Sequence, residues 1–305
     1  MYSKQASPSL PKYFAGKWHG KSYTILRELG KGANGTVYLA STSQGKQVAV
    51  KVGIDALDLF MEVNMLREIK PAYGLQVGPF VVDVDDLNLR GASYTYYAME
   101  FVDGDQLDHY VKRVGVEWVP VLMIQLLTRL QIFHSQGWIF GDLKPENILV
   151  VNTDKQLRLI DFGGVTRIGN AVRQFTEEYD RAAWHSGDRK ASVSYDLFSL
   201  AVMMTRLATG EEGWKKIRLS LRTPQVLCDI IRDNNDLYPY RKVLAKALEG
   251  KYQTAIQMRQ DMVGAVSTKT HPPVTPDADR VGKWIGGLFA ASLLLLAGSL
   301  YYLWM

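Results

Sequence analysis

Two short stretches of this 305-residue chain gather side chains able to do chemistry. In residues 139–150, IFGDLKPENILV, Asp142, Lys144 and Asn147 fall between apolar runs. In residues 159–163, LIDFG, Asp161 closes an apolar run and a glycine follows. Carboxylate and amide oxygens at strand ends suit a divalent cation, and a lysine beside them suits a phosphate oxygen. A polar surface turn is the alternative, but it would have to arise twice at the right separation.

A glycine-rich stretch lies upstream. Gly30, Lys31, Gly32, Ala33, Asn34, Gly35, Thr36 and Val37 fit G-x-G-x-x-G-x-V. A dinucleotide-binding turn has similar spacing but opens a helix. Here strand-like sequence lies on both sides, so the expectation is a hairpin folded over phosphates, with a plain Gly-rich hairpin as the alternative. Lys51 ends the run VAVK. An ammonium ending an apolar strand is costly to bury unless an anion meets it. A nucleotide phosphate and a helix carboxylate both qualify. Glu62 is the preferred carboxylate, because Leu66 and Ile69 follow it on nearby helix faces. Glu68 competes but lacks a following apolar register.

These groups must be positioned by a body that changes character midway. SYTILREL, TVYLA, QVAVKV and SYTYYAMEFV, within residues 22–103, are rich in β-branched and aromatic residues and read as strands. Residues 58–69 between them read as a short helix. After about residue 116 helices dominate, and Leu122, Leu126, Leu130 and Phe133 form an apolar helical stripe. Strands first and helices afterwards predict an α+β protein with two lobes.

The composition, 47% hydrophobic and 22% charged, excludes a disordered or collagen-like chain. One cysteine, Cys228, excludes an internal disulfide and a Cys-only zinc site. The net charge of +5 is mild for this length. Basic residues cluster at Arg173, Arg181, Arg189 and Lys190, and again at Lys215, Lys216, Arg218 and Arg222. A nucleic acid could dock there as an activator; solvated surface is the preferred reading.

Residues 284–305, WIGGLFAASLLLLAGSLYYLWM, carry no charge. As a helix they would reach roughly 33 Å, enough to cross a bilayer core of about 30 Å. Trp284 stands at one end and Tyr301, Tyr302 and Trp304 at the other, as at two membrane interfaces. Arg280 and Lys283 precede the segment, which predicts residues 1–283 on the cytoplasmic side. A buried core helix is the alternative. Gly286/Ala290 and Gly287/Ala291 are small-xxx-small pairs that would let two such helices pack closely. The three prolines within 267–283 mark a linker.

The glycine loop, VAVK, a helix glutamate, GDLKPEN and DFG occur in this order between about Tyr23 and Val263. In combination they resemble the Hanks-type (eukaryotic-like) serine/threonine protein kinases. GWIFGDLKPEN and the single C-terminal membrane helix look most like the bacterial membrane kinases of spore-formers. The resemblance implies a bilobal protein-kinase fold of the α+β class, with a β-rich N-lobe, a helical C-lobe and one C-terminal transmembrane helix. It divides the chain into an N-terminal extension, 1–21, and a kinase domain, 22–264, with its N-lobe at 22–102 and C-lobe at 103–264. A juxtamembrane linker, 265–283, and the transmembrane helix, 284–305, complete it. The implied reaction moves the γ-phosphate of ATP to protein serine or threonine hydroxyls, including the chain's own. A pseudokinase-type membrane scaffold and a small-molecule kinase are the alternatives.

Carried over by position, the resemblance implies that Gly30, Lys31, Gly32, Ala33, Asn34 and Gly35 cover the ATP phosphates, with Val37 and Ala49 beside the nucleotide. Lys51 pairs with the α/β-phosphates and Glu62. Met99 backs the adenine pocket, and the backbone of Glu100 to Val102 reads adenine. Asp142 takes the substrate hydroxyl proton and Lys144 contacts the moving phosphate. Asn147 and Asp161 hold Mg²⁺ or Mn²⁺. Asp196 anchors the catalytic loop from below. The implied partners are protein substrates and the membrane, with a second copy of the chain and a nucleic acid as further candidates.

The chain departs from this pattern in three places. Phe140 and Gly141 stand where His-Arg is usual. Without that arginine, switching by a phosphorylated activation loop is not expected. The end of the activation segment, 175–183, matches only loosely, with Thr176 as the threonine expected to meet Asp142. The short gap from Lys51 to Glu62 predicts a truncated helix that a partner or second copy helps to position.

Overall fold

The computed structural model describes residues 9–270, apart from positions 33, 54, 73, 174 and 219–221. Ala33 and the expected membrane segment 284–305 therefore lie outside the described residues. The chain divides into a compact unit, Met1–Val263, and a remainder from Gly264.

The N-lobe is a six-stranded sheet in the order β1-β2-β3-β4-β6-β5. Its strands are β1 (Tyr13–Ala15), β2 (Ser22–Gly32), β3 (Gly35–Thr42), β4 (Gln47–Gly53), β5 (Val81–Leu89) and β6 (Ala92–Glu100). Central β4 buries Val48, Ala49, Val50, Lys51 and Val52, as its β-branched run requires. Helix α1 (Ala56–Glu68) crosses the sheet and buries Leu59, Glu62 and Val63 against Ala49, Tyr97 and Met99. It starts at Asp55, whose side chain accepts from Leu57 N at 2.8 Å.

One boundary differs from expectation. Part of the expected extension belongs to the sheet: β1 pairs with β2, and Leu10 and Phe14 enter the core. Strand β5, not singled out in the sequence reading, receives this segment. Asp83 and Asp85 point inward from it, buried, because the extension brings donors to both. Trp18 N and His19 N donate to Asp85 at 3.0 and 2.7 Å, and Tyr23 Oη donates to Asp83 at 3.0 Å. At the other end, helix α7 is described to Thr270.

The C-lobe begins with β7 (Gly104–Gln106), α2 (Leu107–Val114) and α3 (Val119–Ser135). All four residues of the expected stripe on α3 are buried. Short strands follow: β8 (Trp138–Ile139), β9 (Ile148–Val151), β10 (Leu157–Leu159) and β11 (Thr166–Arg167). Sheets β10-β9-β7 and β11-β8 carry the catalytic loop and the start of the activation segment. The base is α4 (Val193–Arg218), broken at Gly210 with φ +68°, then α5 (Pro224–Asp233), α6 (Arg241–Leu248) and α7 (Ala255–Thr270).

Candidate active site

Chain order alone does not bring Lys51 to Glu62; the α1–β4 packing does. Lys51 Nζ donates to Glu62 Oε1 and Oε2 at 2.8 and 2.7 Å, and to Asp161 Oδ1 at 3.2 Å. The Lys51 and Glu62 side chains are 6% and 2% exposed, whereas the Asp161 side chain is 42% exposed. Burial alone would depress the Lys51 ammonium, but the two carboxylates outweigh it and hold its pKa above the ordinary value. Burial likewise works to raise Asp161, yet Lys51 and the Gly163 N–H hold it below the usual carboxylate value. At Glu62 burial wins over Lys51 and lifts the carboxyl. Glu62 Oε1 also accepts from Phe162 N at 3.3 Å, which ties α1 to the segment carrying Asp161. Glu62, not Glu68, is thus the lysine's helix partner.

The expected hairpin is present, with Gly32 opposite Gly35 across β2 and β3. A Cβ on Gly30 or Gly32 would meet nothing within 4 Å, so the backbone there is open to a ligand. Gly35 differs: its φ is +150°, and a Cβ would lie 2.2 Å from Val52 O. Lys31 belongs to β2 and Asn34 to the turn. Ala49 pairs in register with Met99, and Val37 packs on the same cluster. Glu100 turns its side chain to Arg158, 2.6 Å away, and its N–H donates to Phe80 O. Val102 follows, buried.

The catalytic loop hangs on Asp196, which is fully buried and accepts from Phe140 N at 2.8 Å and Gly141 N at 2.9 Å. His134 Nε2 lies 2.9 Å from the same carboxylate. Above it, Asn147 Nδ2 donates to Asp142 O at 2.9 Å and, at 3.3 Å, to Asp142 Oδ2. Lys144 Nζ meets Asp142 Oδ2 at 2.6 Å, and Thr176 Oγ1 donates to Asp142 Oδ1 at 2.8 Å. Ile160 N donates to Asn147 O at 3.1 Å, and a Cβ on Gly164 would lie 2.8 Å from Asp142 Cβ. These two contacts place the Asp142–Asn147 loop against the Asp161 segment. Phe140 meets Phe162 edge-on with ring centres 6.0 Å apart, and Phe133 closes the cluster.

The basic residues expected at a polyanion surface are largely engaged within the protein. Arg173 pairs with Asp58, Arg181 with Asp188, Arg189 with Asp180, Lys215 with Glu212 and Arg222 with Glu177. The side chains of Lys216 and Arg218 lie outside the described residues. Thr166 is buried and donates to Gly164 O at 2.9 Å. Arg158 went unnoticed in the sequence, although an arginine inside the apolar run LRLI was a signal that something anionic faces it.

A sheet lobe with a glycine hairpin, a buried lysine–glutamate pair and a loop bearing Asp142, Lys144 and Asn147 define a phosphotransferase of the protein-kinase class. The protein kinase domain family model matches residues 23–260, and the chain belongs to that family as a serine/threonine-type protein kinase. It is 46% identical over 252 residues to serine/threonine-protein kinase YabT of Bacillus subtilis (strain 168), covering 82% of this chain and 73% of that protein. It is 23% identical over 273 residues to a probable serine/threonine-protein kinase PknB of Lactococcus lactis, covering 83% of this chain but 43% of that protein. The structure of vaccinia related kinase 3 shares the fold with a TM-score of 0.63 at 16% identity, over 86% of this chain and 94% of that one. The family uses ATP and a divalent metal ion.

Proposed function

We propose that this kinase phosphorylates serine and threonine hydroxyls of proteins, its own included, while residues 284–305 hold it in the cell membrane with the kinase domain in the cytoplasm. The observation that carries the catalytic part is the bond from Lys51 to both Glu62 and Asp161, which joins the phosphate-facing lysine to a metal-binding carboxylate. The open backbone at Gly30 and Gly32 and the oxygen donors of Asn147 and Asp161 fit nucleotide phosphates and a hard divalent ion. That ion, Mg²⁺ or Mn²⁺, would neutralise charge on the transferring phosphate.

Asp142 orients the attacking hydroxyl and takes its proton as the new O–P bond forms and the bond to the leaving diphosphate breaks. Lys144 and Thr176 fix the Asp142 carboxylate in that orientation. Lys51 holds the phosphate chain, and Met99, Ala49 and Val37 form the apolar wall for the base. The uncharged stretch 284–305 and its terminal aromatics support the membrane anchor.

The full chain incubated with labelled ATP, Mg²⁺ and a basic protein should transfer label to serine and threonine. Asp142→Asn should cut transfer by about 10²- to 10⁴-fold. Transfer undiminished in that variant would remove Asp142 from the reaction. Fractionation of cells carrying the full chain, compared with a chain ending at residue 283, tests the anchor.

A further inference from the structure

Resting on that reading, we infer that Arg173 is a positioning residue that holds α1 against the activation segment without a phosphate. Arg173 Nη2 donates to Asp58 Oδ1 at 3.2 Å, and Nη1 lies 3.0 Å from Met61 Sδ. Asp58 precedes Glu62 by one helical turn, so the two carboxylates lie on neighbouring parts of one helix face. Arg173 precedes Thr176 by three residues, and Thr176 donates to Asp142. One short segment therefore grips both the helix that carries Glu62 and the catalytic aspartate.

The rest of the segment is pinned in the same way. Asp180 is buried and accepts from Arg189 Nε and Tyr195 Oη at 2.8 Å each. Arg181 donates to Asp188 Oδ1 at 2.6 Å and to Ser194 Oγ at 2.9 Å. Arg173 N donates to Thr166 Oγ1 at 3.4 Å, which fixes the backbone from which the guanidinium reaches α1. Gly141 offers no cation to receive a phosphate. In its place the segment supplies its own cation, and α1 supplies the anion. This assignment removes the need for a second copy to seat α1.

The Arg173 and Asp58 side chains are 37% and 39% exposed, so the pair is screened and its effect is small. A small bias still acts on an equilibrium between a seated and a displaced α1, because only the seated form joins Lys51 to Glu62.

The test uses phosphatase-treated full chain, wild type against Arg173→Asp, Asp58→Arg and the charge-swapped double variant. Each single reversal should lower kcat on a protein substrate by about threefold to tenfold, with the melting midpoint within about 2 °C of wild type. The swap should recover to within about twofold of wild type. Wild-type activity should also fall as salt rises from 0.05 to 0.5 M, more steeply than in the single variants. A swap no better than the worse single variant overturns the clamp, as does loss of wild-type activity on phosphatase treatment. Wild type with no ATP-dependent transfer before phosphatase treatment refutes the kinase reading itself. Active wild type with indifferent variants refutes only the clamp.

Discussion

Glu62 Oε2 lies 2.7 Å from Lys51 Nζ, with both side chains nearly sealed from water. Breaking one partner of a buried pair leaves the other charge uncompensated, at a cost of about 3–5 kcal/mol. Asp161 remains as a second anion near Lys51, so the lower end applies. Glu62→Ala should lower the melting midpoint by roughly 10 °C and reduce kcat/KM for ATP by about 10- to 100-fold. Calorimetry and steady-state kinetics check both. An unchanged midpoint would mean that the pair contributes nothing net.

Thr176 joins the substrate-facing segment to Asp142. Thr176→Ala removes a hydroxyl that donates to Asp142 at 2.8 Å and accepts from Lys144 at 3.1 Å. A drop in kcat of about tenfold is expected, with Thr176→Ser recovering most of it, because serine retains the hydroxyl. Equal loss in both variants would assign the effect to packing of the methyl group.

Gly141 cannot be exchanged for the arginine usual at its position. Its φ is +82°, and a Cβ would lie 2.4 Å from Gly164 O. The left-handed backbone alone costs a side chain about 1–2 kcal/mol. Gly141→Arg should therefore lower both the melting midpoint and activity, without making activity sensitive to phosphatase. A stable, phosphatase-sensitive Gly141→Arg variant would contradict this geometry.

The N-terminal segment should hold to its sheet through mild acid. Burial works to raise the Asp85 pKa, but the N–H groups of His19, Trp18 and Asp86 prevail and hold it below its ordinary 3.8. A depressed carboxylate contributes stability that is present above the ordinary value and lost as pH falls through the lower, folded value. The protection factors of the Trp18 and His19 amides should thus hold from pH 7 to pH 5 and fall only below about pH 4. Release near pH 6 would show that a group other than Asp85 controls the segment. Deleting residues 1–20 should destabilise the N-lobe, since it removes Phe14 from its contacts with Tyr23 and Tyr96.

Much of the site was legible in one dimension because its groups sit in short, ordered motifs. Gly30 and Lys51 lie in the paired strands β2 and β4, and Asp142, Asn147 and Asp161 in the turns beside β8, β9 and β10, where local sequence largely sets the conformation. The stripe on α3 and the β-branched run of β4 carried their periodicity openly. Strand β5 did not: Asp83 and Asp85 occupy inward positions, and acids there cancel the apolar alternation that marks a strand. Most of their donors come from residues 60 to 67 positions away. Arg173 and Asp58 are 115 residues apart, and Arg158 and Glu100 are 58 apart. No local pattern encodes such partners, since an arginine looks the same in sequence whether it faces water, a polyanion or an internal carboxylate. Only tertiary packing decides which: α1 brings Asp58 to Arg173, and β6 brings Glu100 to the largely buried Arg158, where an unpaired charge would be too costly to leave alone.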